Sequence, residues 1–384
     1  MNGARGTIGI APPGALGVSF FYHLTGGLTG LDGSVYFVGL DGSRSVEALR
    51  RGVLHIRKEG QTWSLGGEGI IVESLGAAFE AGKIPEVLLV CPNPDQLLGV
   101  IESLVSLLEK MAASGDLRGG DFCFPAVVLS SNGIYFQRVR QVLVEKLEES
   151  TLFGRLPDLW PDLMPRIVGK VLRGVTIQTG LRDGSGSEAV YIPGNRGLSR
   201  LAGGDPNVRA RCCELLTERG AWFELAKSSS PTRLEFDKGI INLIANFFGL
   251  IHAFGDDGSF RPLRVEEILV PENTPEVQEL IRHVFDVGVA VKAYGPGDSY
   301  EQIVGEMLYL SLTNAKHVPS SLQWVDLRIR QGVLTAEFTP TEEWLITPLI
   351  KYARSAGLVK AELYFEGLRQ RLLTKLRQAV AKAA

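Results

Sequence analysis

The first part of the chain alternates short apolar runs with stretches of helical spacing. Residues 7–10, 35–40, 87–90 and 126–131 predict short strands. The continuous apolar run at 87–90 is typical of a parallel strand buried on both faces. Helical spacing lies between them, as over residues 18–24, 45–51 and 97–111. The alternation predicts an α/β fold, with a mostly parallel sheet that carries helices on both faces.

Shorter alternating segments follow further along the chain. Residues 175–179 and 189–192 predict late strands that extend the same sheet, and residues 221–225 predict one more strand. The segment Ser228-Ser229-Ser230-Pro231 is a plausible joint between domains.

Beyond Pro231 the pattern becomes helical. The predicted helices cover residues 236–254, 276–289, 300–312, 341–356 and 361–382. We therefore expect two domains, an α/β domain over residues 1–230 and an all-α domain over residues 231–384.

Composition narrows the class of protein. The formal net charge is -3 and 45% of residues are hydrophobic, so neither nucleic acid nor an acidic membrane is indicated as a partner. We find no uninterrupted apolar run of about 20 residues that would span a membrane. The four cysteines form no Cys-x-x-Cys pair and the five histidines no ligand pattern, which favours free thiols, a cytoplasmic location and no metal.

The loop after the first strand is the first candidate site. Gly14 and Gly17 occupy the second and third positions of the glycine motif of dinucleotide-binding folds, while Pro12 takes the first. Pro12 and Pro13 have no N–H, so the loop offers fewer donors to a phosphate. A simple strand–helix turn is the alternative.

The second strand is followed by residues that could select the cofactor. Asp41 would favour NAD by binding the ribose hydroxyls, whereas Ser43, Arg44 and Ser45 could hold a 2′-phosphate. We favour NADP, with NAD and a plain solvated turn left open.

Lys238, Asn242 and Asn246 interrupt an otherwise apolar helix. Residues four apart lie on one face of a helix, so an ammonium and two amides project in a line. Burying such groups without partners is unfavourable, and burial lowers the pKa of a lysine towards neutrality. We interpret the three residues as a site, although a snorkelling lysine and backbone-bound asparagines would also explain them.

Other polar segments are weaker candidates. Asn132-Gly133 ends a strand of the sheet, where ligands of open α/β folds gather. Ser320-Ser321-Leu322-Gln323 and Glu337 lie in the helical region, where a hydroxyl could hold a substrate carboxylate and a carboxylate could orient Lys238. Each could equally be a turn, a cap or a surface group.

Together these residues resemble the ketopantoate reductase (2-dehydropantoate 2-reductase) family, over nearly the whole chain. The segment Gly14-Ala15-Leu16-Gly17 is similar to the end of the family's glycine motif, and Asn132-Gly133 to its asparagine beside the nicotinamide. The spacing of Lys238, Asn242 and Asn246 is the most specific part of the resemblance. Ser321 and Glu337 resemble the family's carboxylate-binding serine and its acid.

The resemblance implies a Rossmann-type sheet followed by a helical domain, as in 6-phosphogluconate dehydrogenase. It also implies reversible hydride transfer between NADP(H) and a 2-oxo acid/2-hydroxy acid pair. Lys238, Glu337 and Asn132 would be catalytic, and Asn242, Asn246 and Ser321 would bind the substrate. Gly14, Ala15, Leu16, Gly17, Arg44 and Asn132 would bind the cofactor. The helical domain offers a plausible surface for a homodimer.

Several positions depart from the family pattern. Pro12 replaces the first glycine, Asn93 stands in place of a cofactor-contacting lysine, and Phe247 replaces a proline. Ser321 and Glu337 are also further apart than in the family. Two alternatives therefore stay open, namely a related dehydrogenase with another substrate, such as an opine-type imine, and a non-catalytic relative that binds a ligand or partner.

Overall fold

The computed structural model describes residues 6–40, 44–117, 123–184, 188–227 and 229–383. The chain forms two compact units. The first contains the described residues up to Ser131 together with Phe136–Pro231. The second contains Thr232 onward together with the four-residue segment Asn132–Tyr135. The predicted class, an α/β sheet region followed by helices, is confirmed.

The first unit is built on an eight-stranded sheet. Its strands follow the spatial order β12-β11-β8-β7-β6-β1-β2-β5, and β11 against β8 is its antiparallel pair. The strands are β1 (Ile8–Ala11), β2 (Val35–Val38), β5 (Ile71–Val72), β6 (Val87–Val90), β7 (Ala126–Leu129), β8 (Val171–Thr176), β11 (Leu198–Ala202) and β12 (Trp222–Leu225). The central strands are fully buried, as their continuous apolar runs predict.

Eight helices of the described residues belong to this unit. They are α1 (Ala15–Leu24), α2 (Arg44–Arg51), α3 (Leu75–Glu80), α4 (Leu97–Ser114), α5 (Phe136–Glu149), α6 (Leu152–Arg155), α7 (Trp160–Gly169) and α8 (Pro206–Glu218). The helices α3, α5, α6 and α7 were not predicted from the hydrophobic pattern.

A second, four-stranded sheet corrects one prediction. Its strands are β3 (Val53–Lys58), β4 (Gln61–Gly66), β9 (Gly180–Asp183) and β10 (Val190–Pro193), in the order β4-β3-β10-β9. The expectation that residues 189–192 extend the main sheet is therefore wrong, because β10 pairs with β3 and β9. The expectation for residues 175–179 holds only as far as Thr176, the last residue of β8.

The β3–β4 hairpin was not predicted, although its turn carries a signal. Lys58 pairs with Gln61, and the two residues between them, Glu59 and Gly60, have φ of 52° and 81°. Two successive positive φ values define a type I′ turn, which matches the twist of a two-residue hairpin. The apolar alternation of the two strands is short: Leu54 and Ile56 are buried in β3, and Trp63 and Leu65 of β4 pack against the same core.

The helix α1 lies against this second sheet through its polar side chains. Ser19 Oγ donates to the carbonyl oxygen of Thr179 over 2.7 Å, and His23 Nε2 lies 3.1 Å from that of Gly194. Gln178 links the same region by donating to Ser19 Oγ and accepting from the N–H of Gly197. The apolar side of α1 meets the main sheet, where Phe21 stacks on Phe37.

The turn from β1 into α1 is closely packed at one glycine. A Cβ at Gly17 would lie 2.3 Å from the carbonyl oxygen of Pro12, whereas a Cβ at Gly14 would have no atom within 4 Å. Gly17 therefore has the packing role of the third glycine of a dinucleotide motif, and Gly14 leaves open space in front of the helix.

The second unit is helical throughout its described part. It contains α9 (Pro231–Asn242, apart from its first residue), α10 (Gly249–Ala253), α11 (Val265–Ile268), α12 (Thr274–Ala290), α13 (Tyr300–Leu312), α14 (Ser320–Arg330), α15 (Pro340–Ser355) and α16 (Val359–Ala383). A π-helical segment, Leu243–Phe248, joins α9 to α10. The predicted helix over residues 236–254 thus begins earlier, at Pro231, and changes its turn in the middle.

The α9–α10 segment forms the centre of this unit. Phe236, Ile240, Ile244, Phe247 and Phe248 have no exposed surface and belong to a single core. A helix that is apolar on every side is stable only when neighbours cover it all round. No helix within the described residues is long and apolar enough to cross a membrane.

The contrast between Gly17 and Gly14 gives a stability test. Gly17→Ala should lower the free energy of unfolding by roughly 1–3 kcal/mol, because the added methyl group meets backbone. Gly14→Ala is the matched control and should cost less than about 1 kcal/mol, since its methyl group meets open space. Urea unfolding of both variants measures the difference, and equal losses would contradict the packing described.

Candidate functional site

The central helix of the second unit carries the three polar residues singled out from the sequence. Lys238 lies in α9 and is partly buried, while Asn242 and Asn246 are 5% and 7% exposed. Asn246 lies within the π-helical segment, whose wider turn changes its direction relative to Asn242. Such segments are frequent at functional sites.

The ammonium of Lys238 is desolvated. Burial lowers the pKa of Lys238 to about 8, because a charged amine loses hydration there. His317, just before α14, has its pKa lowered by burial and, further, by the charge of Lys238. The Lys238 side chain therefore lies within electrostatic reach of the segment that leads into α14.

An ionic cluster fixes the start of α9 one turn before Lys238. Arg233 Nε contacts both oxygens of Asp237 at 3.0 Å, and its Nη1 contacts Asp298 at 2.7 Å. The hydroxyl of Tyr294 donates to Asp237 over 3.1 Å, and the guanidinium lies 4.6 Å from the centre of the Tyr294 ring. Charged pairs that are mutually hydrogen-bonded hold a helix in one orientation.

Asn246 meets the first turn of α14. Its Oδ1 accepts from the N–H of Ser321 over 3.1 Å and lies 3.4 Å from Ser320 Oγ. The amide oxygen therefore satisfies a donor at the N-terminus of α14, which would otherwise lack a helical partner. The structure thus brings Asn246 and Ser321 together, as well as placing Lys238 and Asn242 on the adjoining turns.

A buried acid completes this group, and the sequence reasoning missed it. Glu342 is 2% exposed and accepts a hydrogen bond from Ser321 Oγ. It also accepts from the N–H of Thr339 over 3.0 Å and from the Thr339 hydroxyl. Burial raises the pKa of Glu342, whereas the hydrogen bonds from Ser321 and Thr339 act in the opposite direction.

A local signal could have identified Glu342. Thr339-Pro340-Thr341-Glu342 forms a capping box, in which Thr339 caps α15 and Glu342 reaches back to it. The pattern of threonine followed three residues later by glutamate is visible in the sequence.

Glu337, the acid predicted from the sequence, is placed differently. It is exposed in the segment between α14 and α15. Its neighbour Phe338 packs on Phe247, with ring centres 5.7 Å apart. Phe338 is thus partly buried against the core of the unit, whereas Glu337 is exposed at a bend of the chain.

The segment Asn132–Tyr135 packs against α9 and α15. The N–H of Tyr135 donates to Glu235 over 3.2 Å, and that of Ile134 to the carbonyl oxygen of Trp344 over 3.3 Å. Gly133 has φ of 120° and faces Trp344, a conformation that favours glycine. Asn132 is thereby placed in the same unit as Lys238.

The candidate cofactor loop belongs to the first unit. Gly14, Ala15 and Leu16 are partly exposed at the N-terminus of α1, and Gly17 is buried. The first turn of α1 contains no acidic residue, and the first N–H groups of a helix attract phosphate. Asn93 is exposed after β6. Asp41 and Ser43 lie outside the described residues, and of Arg44 only the backbone is described.

Within the described residues, no group of three or more histidine, cysteine, aspartate or glutamate side chains could hold a metal ion. No protein-family model matches the chain, and no curated protein matches it.

Solved structures match the chain over nearly its full length. D-mandelate dehydrogenase with NADH and anilino(oxo)acetate is 15% identical, with 97% of this chain and 99% of that chain covered and a TM-score of 0.64. A ketopantoate reductase from Ralstonia eutropha JMP134 is 13% identical, with the same coverage and a TM-score of 0.59. A dimeric ketopantoate reductase from Staphylococcus aureus is 12% identical, with 96% and 99% covered and a TM-score of 0.55. The chain therefore has the fold of the ketopantoate reductases and of D-mandelate dehydrogenase, at a wide distance from them in sequence.

Proposed function

We propose that the protein is an NADP(H)-dependent reductase that interconverts a 2-oxo acid and the corresponding 2-hydroxy acid. The observation that carries the proposal is the desolvated ammonium of Lys238, whose pKa is lowered to about 8, on the same helical segment as the buried amides of Asn242 and Asn246. The fold shared with D-mandelate dehydrogenase and ketopantoate reductases supports the same reaction class.

Lys238 acts on the carbonyl oxygen of the substrate. Its ammonium polarises the carbonyl and delivers a proton to that oxygen as the carbonyl carbon becomes an alcohol carbon. In the reverse direction the neutral amine takes the hydroxyl proton. A pKa of about 8 makes both forms accessible near neutrality, which general acid–base catalysis requires.

The amides and hydroxyls around Lys238 orient the substrate. Asn242 and Asn246 are buried and fixed on one helix, so they lose little freedom when a ligand binds. Asn132 would contact the substrate and the nicotinamide, and Ser321 would contact the substrate. Glu337, exposed in the structure, would reach a substrate group only from the rim of the site.

The loop between β1 and α1 fits a dinucleotide. Gly14 leaves open space at the N-terminus of α1, and Gly17 allows the helix to pack closely on Pro12. Gly14, Ala15, Leu16 and Gly17 would hold the pyrophosphate, and Arg44 would favour the 2′-phosphate of NADP over NAD. The nicotinamide of the bound cofactor supplies the hydride.

The neighbours suggest the range of substrates and the assembly. One is named for D-mandelate and others for ketopantoate, so the side chain of the acid is the variable part. We include the homodimer in the proposal, since a ketopantoate reductase of this fold is dimeric.

Removing the ammonium tests the role of Lys238. Lys238→Ala should lower kcat for 2-oxo acid reduction by about 10²- to 10⁴-fold, the usual contribution of a general acid. The Kd for NADPH, from fluorescence titration, should change less than about threefold, because the substitution removes a group that acts on the substrate and leaves the contacts of the cofactor in place.

Lys316→Ala is the matched control, because Lys316 is exposed in the same unit. It should keep wild-type kcat. Equal losses of turnover and of cofactor affinity in Lys238→Ala would argue against an acid–base role.

The pH profile gives an independent check. Because burial lowers the pKa of Lys238 to about 8, reduction should be fast below that pH and fall as the ammonium is lost above it. Oxidation of the 2-hydroxy acid should show the opposite trend. Lys238→Arg, whose guanidinium stays charged, should lack this transition, and a profile unchanged by the substitution would rule out Lys238 as the titrating group.

A further inference from the structure

Glu235 is a buried acid that the proposed chemistry does not use. Its side chain is 2% exposed in α9, and it lies one turn before Lys238. Burying a carboxylate is unfavourable unless hydrogen bonds and charges compensate for the lost hydration. The groups that Glu235 contacts therefore indicate its role.

Glu235 contacts the short segment Asn132–Tyr135. The N–H of Tyr135 donates to Glu235 Oε1 over 3.2 Å. A Cβ at Gly239 would lie 3.2 Å from the side chain of Ile134, so that side chain lies against α9 at Gly239. Glu235 and Gly239 are four positions apart and therefore share one side of the helix. This side of α9 contacts the segment at two successive residues.

The helix α15 contacts the segment as well. The carbonyl oxygen of Trp344 accepts from the N–H of Ile134 over 3.3 Å, and a Cβ at Gly133 would lie 3.3 Å from that same oxygen. Burial raises the pKa of the Tyr352 hydroxyl on α15, and the charge of Glu235 raises it further. Two consecutive N–H groups thus have acceptors on two different helices, which holds the segment in one register.

This register determines where Asn132 lies along α9. Asn132 is three residues before Tyr135, whose N–H is held by Glu235. Lys238 is three residues after Glu235 in the same helix. A shift of the segment along α9 would therefore change the distance between Asn132 and Lys238. A displacement of about 1 Å in a group that positions a substrate can lower turnover by about 10²-fold.

We propose that Glu235 is a positioning residue, which holds the segment Asn132–Tyr135 in register with Lys238 and thereby places Asn132 for hydride transfer. The proposal rests on the proposed function, in which Asn132 contacts the substrate and the nicotinamide and Lys238 transfers the proton. In this role Glu235 acts through the backbone N–H of Tyr135 and exchanges no proton with the substrate.

A double-mutant cycle tests whether Glu235 acts through Asn132. Glu235→Leu removes the acceptor and should lower kcat for 2-oxo acid reduction by about 10- to 100-fold. Glu235→Gln keeps an acceptor oxygen and should lower kcat much less. In the background of Asn132→Ala, Glu235→Leu should cause a further loss of less than about threefold, because the effects of residues that act through one another are not additive.

Glu272→Leu is the control, since it removes an exposed carboxylate from the same unit, and it should keep wild-type kcat. A purely structural role of Glu235 would give Glu235→Leu the same fold loss with and without Asn132. That result, or wild-type kcat in Glu235→Leu, overturns the proposal. If Glu235→Leu does not fold, Glu235→Asp takes its place in the cycle, because it keeps the charge and withdraws the acceptor by one methylene group.

Hydrogen exchange of the segment gives a readout that needs no turnover. Mass spectrometry of peptides that cover residues 132–136 should show exchange about two- to tenfold faster in Glu235→Leu, the size of one net hydrogen bond, and close to wild type in Glu235→Gln. Unchanged exchange in Glu235→Leu overturns the proposal. If the wild type reduces no 2-oxo acid although exchange responds as expected, the proposed function fails, whereas the anchoring of the segment by Glu235 stands.

Discussion

The second unit depends on the burial of polar groups inside an apolar helix. Lys238, Asn242 and Asn246 share their helical segment with Phe236, Ile240 and Phe247, side chains that have no exposed surface. Each polar group must be compensated or it destabilises the fold. The amide oxygen of Asn246 accepts a hydrogen bond at the N-terminus of α14. For Lys238, desolvation instead lowers the pKa, so that the neutral amine becomes more accessible. The features that make this helix unfavourable in isolation are those that suit it to proton transfer.

The fold and the three residues of the central helix could be predicted from the sequence. Continuous apolar runs identified β1, β6 and β7 because their burial on both faces leaves no polar position. The second sheet could not be found in this way. Its strands β3 and β4 are short and bury few side chains, and β10 pairs with β3 across more than a hundred residues. No local pattern encodes such a pairing.

The choice between Glu337 and Glu342 illustrates a different limit of sequence-based prediction, namely contacts that form only in the folded unit. Glu337 was chosen by order along the chain, but it is exposed at a bend, next to Phe338, which packs on Phe247. Glu342 is buried because it caps α15 and bonds to Ser321, two helices that meet only in the folded unit. The cap was visible in the sequence as a local motif, whereas the contact with Ser321 depends on tertiary packing.

Transfer of deuterium from the cofactor is the most direct test of the central claim. The protein would be incubated with NADPH or NADH deuterated at either face of nicotinamide C4, together with a panel of 2-oxo acids that includes ketopantoate and benzoylformate. The account predicts a 2-hydroxy acid with one deuterium at C2, formed by the wild-type protein and largely lost in Lys238→Ala. Folded wild-type protein that yields no deuterated product with any acid, from either cofactor, would contradict it.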